Sequence, residues 1–417
     1  MPPSVAPTVA IVDAYSSANR LAPLLRERGH RVVHVQSTGR IPAVSAPQFV
    51  PEDFDTNIVH RGDPAATASV LAEHRPVAVL PGGEVGVELA DALSESLGLR
   101  TNGTAKSAAR RDKFRMVETV RAAGLRGVEQ LMTSDEDEAV EWAGKLGGRV
   151  VVKPVRSSGS EGVRFCESGH EVRAAVRAVL GKDNAVASRN DAILVQEYLF
   201  GTEYYVNTVS MDGRHHVCDI WRTTHISANG VRDLLDGAHL LPRRGEVQEQ
   251  LVAYTFAVLD ALGVANGPAH TELKLTPDGP CLIESGARLC GGGLPTLVRT
   301  ALGESQLEWT ADAYLAPDVF LDRCGEDYRI ERYIASIGLI APRSGTLVDY
   351  PRLPEVRTLE SFHELKMAVA PGDPIHRTVD DFKIPLLVNL AHEVEEIVRR
   401  DHGTIRQLDG DGFYTIG

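Results

Sequence analysis

The sequence predicts an α/β protein of two or three domains, and three observations predict it. Short apolar runs alternate with helical patterns through the first hundred residues, which implies a parallel sheet covered by helices. Two later apolar runs carry Glu272 and Glu284 and are joined by Thr276-Pro277-Asp278-Gly279-Pro280, which implies an antiparallel hairpin. At 417 residues the chain is too long for one ordinary domain.

The run 9–12 reads as a strand, 21–28 as the helix after it, ended by Gly29, and 31–35 as the next strand. A third strand over 77–80 turns at Pro81-Gly82-Gly83 into a helical pattern over 85–97. Ligands of parallel sheets bind beyond the carboxyl ends of the strands, where Glu84 falls. Glu84 is therefore a candidate receiver of a substrate ammonium, with a charge favoured by a helix's first turn as the plain alternative. Asn102-Gly103 marks a boundary. A helix is expected over 105–123, then a strand over 150–153, a loop over 156–162, a strand over 163–166 and a helix over 174–180. The polar stretch 182–191 has no period and reads as a loop. Strands over 193–198 and 204–210 and a helix over 247–262 follow. After about residue 320 an acidic, loop-rich connector is expected, then strands over 334–340 and 386–390 in a final subdomain.

Hydrophobic residues at 43% and charged residues at 24% match a globular protein. No apolar run is long enough to span a bilayer, and the start lacks a basic segment followed by an apolar one. A cytoplasmic protein without a membrane partner is expected. The net charge of -13 argues against nucleic acid as a partner. Cys166, Cys218, Cys281, Cys290 and Cys324 are scattered and form no CxxC pair, which argues against a disulfide framework or a zinc site. Cys290 reads as a small core residue.

The chemistry gathers at four places. Glu272 and Glu284 would come to one end of the hairpin with Arg288 four residues on, a set suited to a magnesium-bound polyphosphate. Lys153 ends a buried strand, and the loop with Ser157, Ser158, Gly159 and Ser160 follows it. An ammonium and loop amides there suit phosphate oxygens. An ordinary hairpin explains the loop taken alone. The segment Gln196-Glu197-Tyr198-Leu199 could offer backbone N–H and C=O groups to a purine edge, and Glu203 could accept from ribose hydroxyls. An interdomain strand is the plain alternative. His239 in LLDGAHLLP falls on an expected loop, where a surface histidine is the plain alternative to a functional one. His270 shares a strand face with Glu272 by alternation.

Taken in order, Arg111-Asp112-Lys113, Lys153 with SSGSEGV, Gln196 to Leu199, Glu272, and Glu284 with Arg288 resemble the ATP-grasp superfamily. The segments RDKFRM, HTELKL and IESGARLCGG resemble its ligases that join two amino acids, of the alanine–anticapsin ligase and carnosine synthase type. The resemblance covers nearly the whole chain. It implies an ATP-grasp fold: a Rossmann-like domain over 1–103, an ATP-grasp domain over 104–320 with a lid over about 128–198, and an α+β C-terminal subdomain over 321–417. It implies that Lys113 and Lys153 hold ATP phosphates and that 157–160 form a lid loop. Glu197, Tyr198 and Leu199 would meet adenine, Glu203 ribose, and Glu272 and Glu284 Mg2+, with Mn2+ as a substitute. Arg288 would stabilise the acyl phosphate and tetrahedral intermediate. The run Gly291-Gly292-Gly293 lacks bulk beside Arg288, which suits a substrate border at Gly291 and Gly292 as well as a glycine loop needed for backbone geometry. Many superfamily members have Asn two residues after the second glutamate, where this chain has Gly286.

The implied reaction activates one small-molecule carboxylate with ATP and joins it to the amine of another, with His239 as the candidate base for that amine, in a homodimer. Two alternatives stand beside it. An ATP-grasp ligase of nucleotide or carboxylation metabolism would respond to ribotide amines or bicarbonate instead. A non-catalytic ATP-binding protein would bind ATP without turnover.

Overall fold

The computed structural model describes residues 6–185 and 189–417; residues 186–188, inside the loop expected over 182–191, and the first five residues of the chain lie outside it. The first sheet holds β1 (Thr8–Val12), β2 (Arg31–Gln36), β3 (Thr56–Val59) and β4 (Pro76–Pro81), all parallel, in the order β3-β2-β1-β4. Helices α1 (Leu21–Glu27), α2 (Pro64–Ala72) and α3 (Val87–Ser96) accompany it. Every residue of β1 is buried, as expected of a parallel strand covered on both faces. The strand order switches between β1 and β4, and the chain leaving β4 presses on β1 there. A Cβ on Gly82 would stand 2.6 Å from the Asp13 carbonyl oxygen, so only glycine fits. That crevice delivers Glu84.

The helix expected over 105–123 is two pieces. The Asp112 carboxylate accepts from the Arg115 N–H at 3.0 Å and starts α4 (Lys113–Ala122) afresh, making Lys113 its first residue.

A small antiparallel sheet follows, built from β5 (Gln130–Thr133), α5 (Glu136–Leu146), β6 (Val150–Pro154), β7 (Arg164–Cys166), α6 (Gly169–Val179) and β8 (Ile193–Glu197), in the order β5-β8-β6-β7. Its helices pack on Val150, Val152, Ile193 and Val195.

The central sheet has eight antiparallel strands. It takes β9 (Thr202–Met211), β10 (Arg214–Ala228), β11 (Val231–Leu240), then, after α7 (Glu246–Leu262), β12 (Gly267–Thr276) and β13 (Gly279–Gly286). Helices α8 (Leu294–Leu302), α9 (Gln306–Leu315) and α10 (Pro317–Arg323) lead to β14 (Tyr333–Gly338), β15 (Gly345–Asp349), α11 (Leu353–Arg357), β16 (Phe362–Met367), β17 (Pro374–Ile375), β18 (Leu386–His392), α12 (Glu395–Leu408) and β19 (Thr415–Ile416). The order is β13-β12-β9-β10-β11-β14-β18-β16, with β17-β15-β19 as a small side sheet. The two late strands expected from the sequence therefore extend the central sheet, because β14 pairs with Gly237–His239 of β11. Tyr204, Val206 and Leu273 pack with α7 on one face, and alternation turns Glu203, Tyr205, Glu272 and Lys274 to the other.

Candidate active site

The cleft between the small sheet and the central sheet collects most of the residues singled out in the sequence. Lys113, Lys153, Ser157, Ser158, Gly159, Ser160, Glu197, Tyr198, Leu199, Glu203, Glu272 and Glu284 all line one cavity. Glu272 and Glu284 sit opposite each other in the β12–β13 register, so both carboxylates share the cleft face. The Lys113 ammonium bridges the two walls, 2.8 Å from Glu284 Oε1 and 2.6 Å from the Ser157 carbonyl oxygen. Lys153 lines the same cavity and forms no salt bridge among the described residues. Burial, then repulsion from Lys113, lowers its pKa to about 8. An ammonium held this way gains most from an incoming polyanion.

Behind Glu272 runs a buried chain of hydrogen bonds. His270 Nε2 lies 3.0 Å from Glu272 Oε1, and its Nδ1 lies 2.7 Å from Asn207 Oδ1. Burial works against charge on both partners. The His270 contact, with Arg288 and Lys113, nevertheless holds the Glu272 carboxyl below its ordinary range. Paired carboxylates are hard oxygen donors of the kind that would suit Mg2+. No group of three or more His, Cys, Asp or Glu suited to a metal ion occurs among the described residues.

Two expectations need correction. Glu84 is not free to receive an ammonium: Arg111 Nη1 takes Oε1, and Arg288 Nε takes Oε2 at 2.7 Å. These guanidiniums outweigh burial and hold its pKa down to about 2. The same pair accounts for Gly286. A Cβ there would stand 3.0 Å from Glu84 Oε2 and 3.2 Å from Arg288 Cζ, so the ion pair occupies the space an asparagine would need. His239 is on β11 rather than a loop. Through the pairs Glu272–Tyr205, Tyr205–Trp221 and Trp221–Leu240, Leu240 shares the cleft face and His239 faces away. Its Nε2 lies 2.8 Å from His402 Nδ1, and burial, then His402, lowers its pKa to about 3.

Gly291 and Gly292 lie beyond Arg288, next to Ser16 and the Lys366 ammonium respectively. Gly292 and Gly293 have φ of +65° and +71°, so backbone geometry demands them, and a Cβ on Gly292 would meet open space. The Glu197 carboxylate accepts from the Glu129 N–H at 3.1 Å.

The cleft also holds residues the sequence did not single out. Lys274 Nζ lies 3.0 Å from Asp233 Oδ2 and 4.9 Å from the Tyr198 ring centre. His225, Asp233 and Asp381 complete the wall. Alternation from Glu272 would have found Lys274; nothing local in the sequence marks the other three.

The match to known proteins covers this site. Residues 147–296 match the ATP-grasp domain model. The chain is 31% identical to dapdiamide A synthase of Enterobacter agglomerans, over 98% of this chain and 97% of that one. It is 21% identical to the L-arginine-specific L-amino acid ligase of Bacillus subtilis, over 63% of this chain and 62% of that one. Its fold matches the L-amino acid ligase of Bacillus licheniformis at a TM-score of 0.76, with 19% identity, 99% of this chain and 98% of that chain covered.

Fold and cleft thus define an ADP-forming carbon–nitrogen ligase. The chain belongs to the ATP-grasp ligases of the amino-acid-joining type, which activate a carboxylate as an acyl phosphate before an amine displaces phosphate.

Proposed function

We propose that this enzyme joins two amino acids, or amino-acid-like acids and amines, into a dipeptide or amide of secondary metabolism, with ATP and Mg2+ at the cleft just described. One observation carries the site assignment: two ammonium groups and two opposed carboxylates line a single cavity under a Ser/Gly loop. The similarity to dapdiamide A synthase supports the substrate class.

The small sheet serves as the lid, in keeping with the division at 1–103, 104–320 and 321–417. Glu272 and Glu284 hold the metal, Mn2+ substituting for Mg2+; when bound it neutralises charge on the phosphates. Lys113 and Lys153 bind the phosphate oxygens. The 157–160 loop amides cap the transferring phosphoryl group and exclude water. Tyr198 and the backbone of Glu197 and Leu199 border adenine, and Glu203 borders ribose. Arg288, held by Glu84, orients toward the acyl phosphate and then the oxyanion. Gly291 and Gly292 leave room for the amine substrate beside it. The enzyme is taken to be a cytoplasmic homodimer; among the described residues no helix is long and apolar enough to cross a membrane.

The test is phosphate release with ATP and Mg2+ against pooled amino acids, with mass spectrometry of the products. Release that depends on an amino-acid pool and yields a dipeptide mass is expected. Silence with every pool, beside tight ATP binding, would leave a non-catalytic ATP-binding protein. A response confined to bicarbonate or ribotide amines would move the enzyme into the other branch of the superfamily.

A further inference from the structure

The tip of the phosphate loop reaches beyond its own sheet. It is docked on a turn from the far C-terminal part of the chain, Asp381–Lys383. The Asp381 N–H donates to the Gly159 carbonyl oxygen at 3.2 Å, and Ser160 Oγ donates to Asp381 Oδ2 at 3.1 Å. The Phe382 ring lies against Gly159, where a Cβ would stand 2.9 Å from it, and Gly159 has φ of +62°. Ser160 is held at φ +57°, a conformation that costs a non-glycine residue about 1 kcal/mol and persists where surroundings impose it. The turn is anchored independently of the loop. Lys383 Nζ pairs with Asp380 Oδ2 at 2.8 Å, and Thr378 Oγ1 donates to the Lys383 carbonyl oxygen at 2.9 Å while accepting from the Ala341 N–H at 2.9 Å. Phe382 remains 40% exposed, so it is not a core residue of its own subdomain. Asp381 lines the cleft together with Lys153 and Glu272.

We propose that Asp381 and Phe382 are positioning residues that keep the phosphate loop shut over the acyl phosphate until the amine has reacted. This rests on the ligase reading above. If the loop lifts early, the oxygen of a water bonds to the acyl carbon and the bond from that carbon to the phosphate-bearing oxygen breaks. The free carboxylate and inorganic phosphate leave with release of a proton. ATP is then spent without an amide, so failure of the keeper shows as uncoupling rather than as simple loss of rate.

Two measurements on the full-length protein test this. The first is hydrogen–deuterium exchange of peptides covering 155–165 without ligands. D381A and F382A are expected to exchange several-fold faster than the parent there and unchanged over β12 and β13; parental exchange at 155–165 would overturn the proposal whatever the turnover. The second compares ADP with amide for an active pair of substrates. The parent should form them in equal amounts, and D381A and F382A should form ADP in at least about threefold excess. D381N keeps the acceptor for Ser160 and should remain coupled, and F382L, which keeps an apolar side chain, controls for folding. Coupled turnover by D381A and F382A, or a shifted Mg2+ dependence in D381A, would overturn the proposal. Absence of amide with the parent would instead refute the ligase reading, and the exchange measurement would still decide the keeper.

Discussion

Glu272 and Glu203 project from neighbouring strands onto one buried wall, yet they differ in charge. Glu272 lies opposite Tyr205, and Glu203 lies opposite Lys274. The Glu272 carboxyl is held below its ordinary range, while burial, then the charge of Glu272, pushes Glu203 up to about 8. Shape does not separate them; the cations that reach them do. Glu272 is served by His270 from its own strand, Arg288 from beyond β13 and Lys113 from α4. Glu203 has chiefly Lys274, itself tied to Asp233, and a His225 that burial keeps neutral-prone. The end of the cleft proposed for phosphate is thus arranged to hold charge, and the end proposed for the nucleoside to hold a proton.

The strongest way to break this contrast is at the phosphate end. E272Q and E284Q should each lower kcat/KM at least about a thousandfold while leaving the fold intact, and K153M about a hundredfold or more, by steady-state ADP release. E203Q should cost far less, chiefly in KM for ATP; a loss equal to that of E272Q would erase the distinction. R288K should fall about a hundredfold, because an ammonium cannot reproduce the guanidinium fork held by Glu84.

A stability measurement sharpens the same point. A raised carboxyl pKa means that the folded state binds the proton more tightly than the unfolded chain. Glu203 therefore removes stability as pH rises from its ordinary 4.5 toward about 8, and the loss levels off above that. E203Q lacks this slope. Its melting temperature should gain on the parent through that window and hold a constant lead at higher pH. A gap that narrows with rising pH would contradict the raised pKa. The smallest effect is expected on the far face of the sheet: H239N should change kcat/KM less than about threefold, since no reacting group lies there.

How much of this was legible in the sequence follows from how each residue is delivered. Glu272 and Glu284 share one hairpin, and Lys153 and the Ser/Gly loop share one strand end, so short-range pattern exposes them. Asp381 reaches the site only through packing of a distant segment, and no local signal marks that; Arg111 stands in the Arg111-Asp112-Lys113 motif, but its pairing with Glu84 is set by packing. His239 was misplaced for a specific reason. Asp236-Gly237 reads as a turn, but in β11 it is a bulge: Gly237 pairs with Thr224 and Leu235 with His225, leaving Asp236 as the extra residue. Asp233 lies in the same long β10–β11 hairpin. Its φ of +64° inside a strand is a feature of the folded sheet rather than of composition. Glu84 stands just past a strand end, which the sequence marks, but its two arginine partners come from α4's approach and from beyond β13.

The most direct test of the central claim is oxygen transfer. With an amino acid labelled by 18O in its carboxylate and an amine that supports turnover, one 18O should appear in each phosphate released, with ADP as the nucleotide product. Unlabelled phosphate, or AMP with pyrophosphate, would contradict activation of the carboxylate as an acyl phosphate in this cleft.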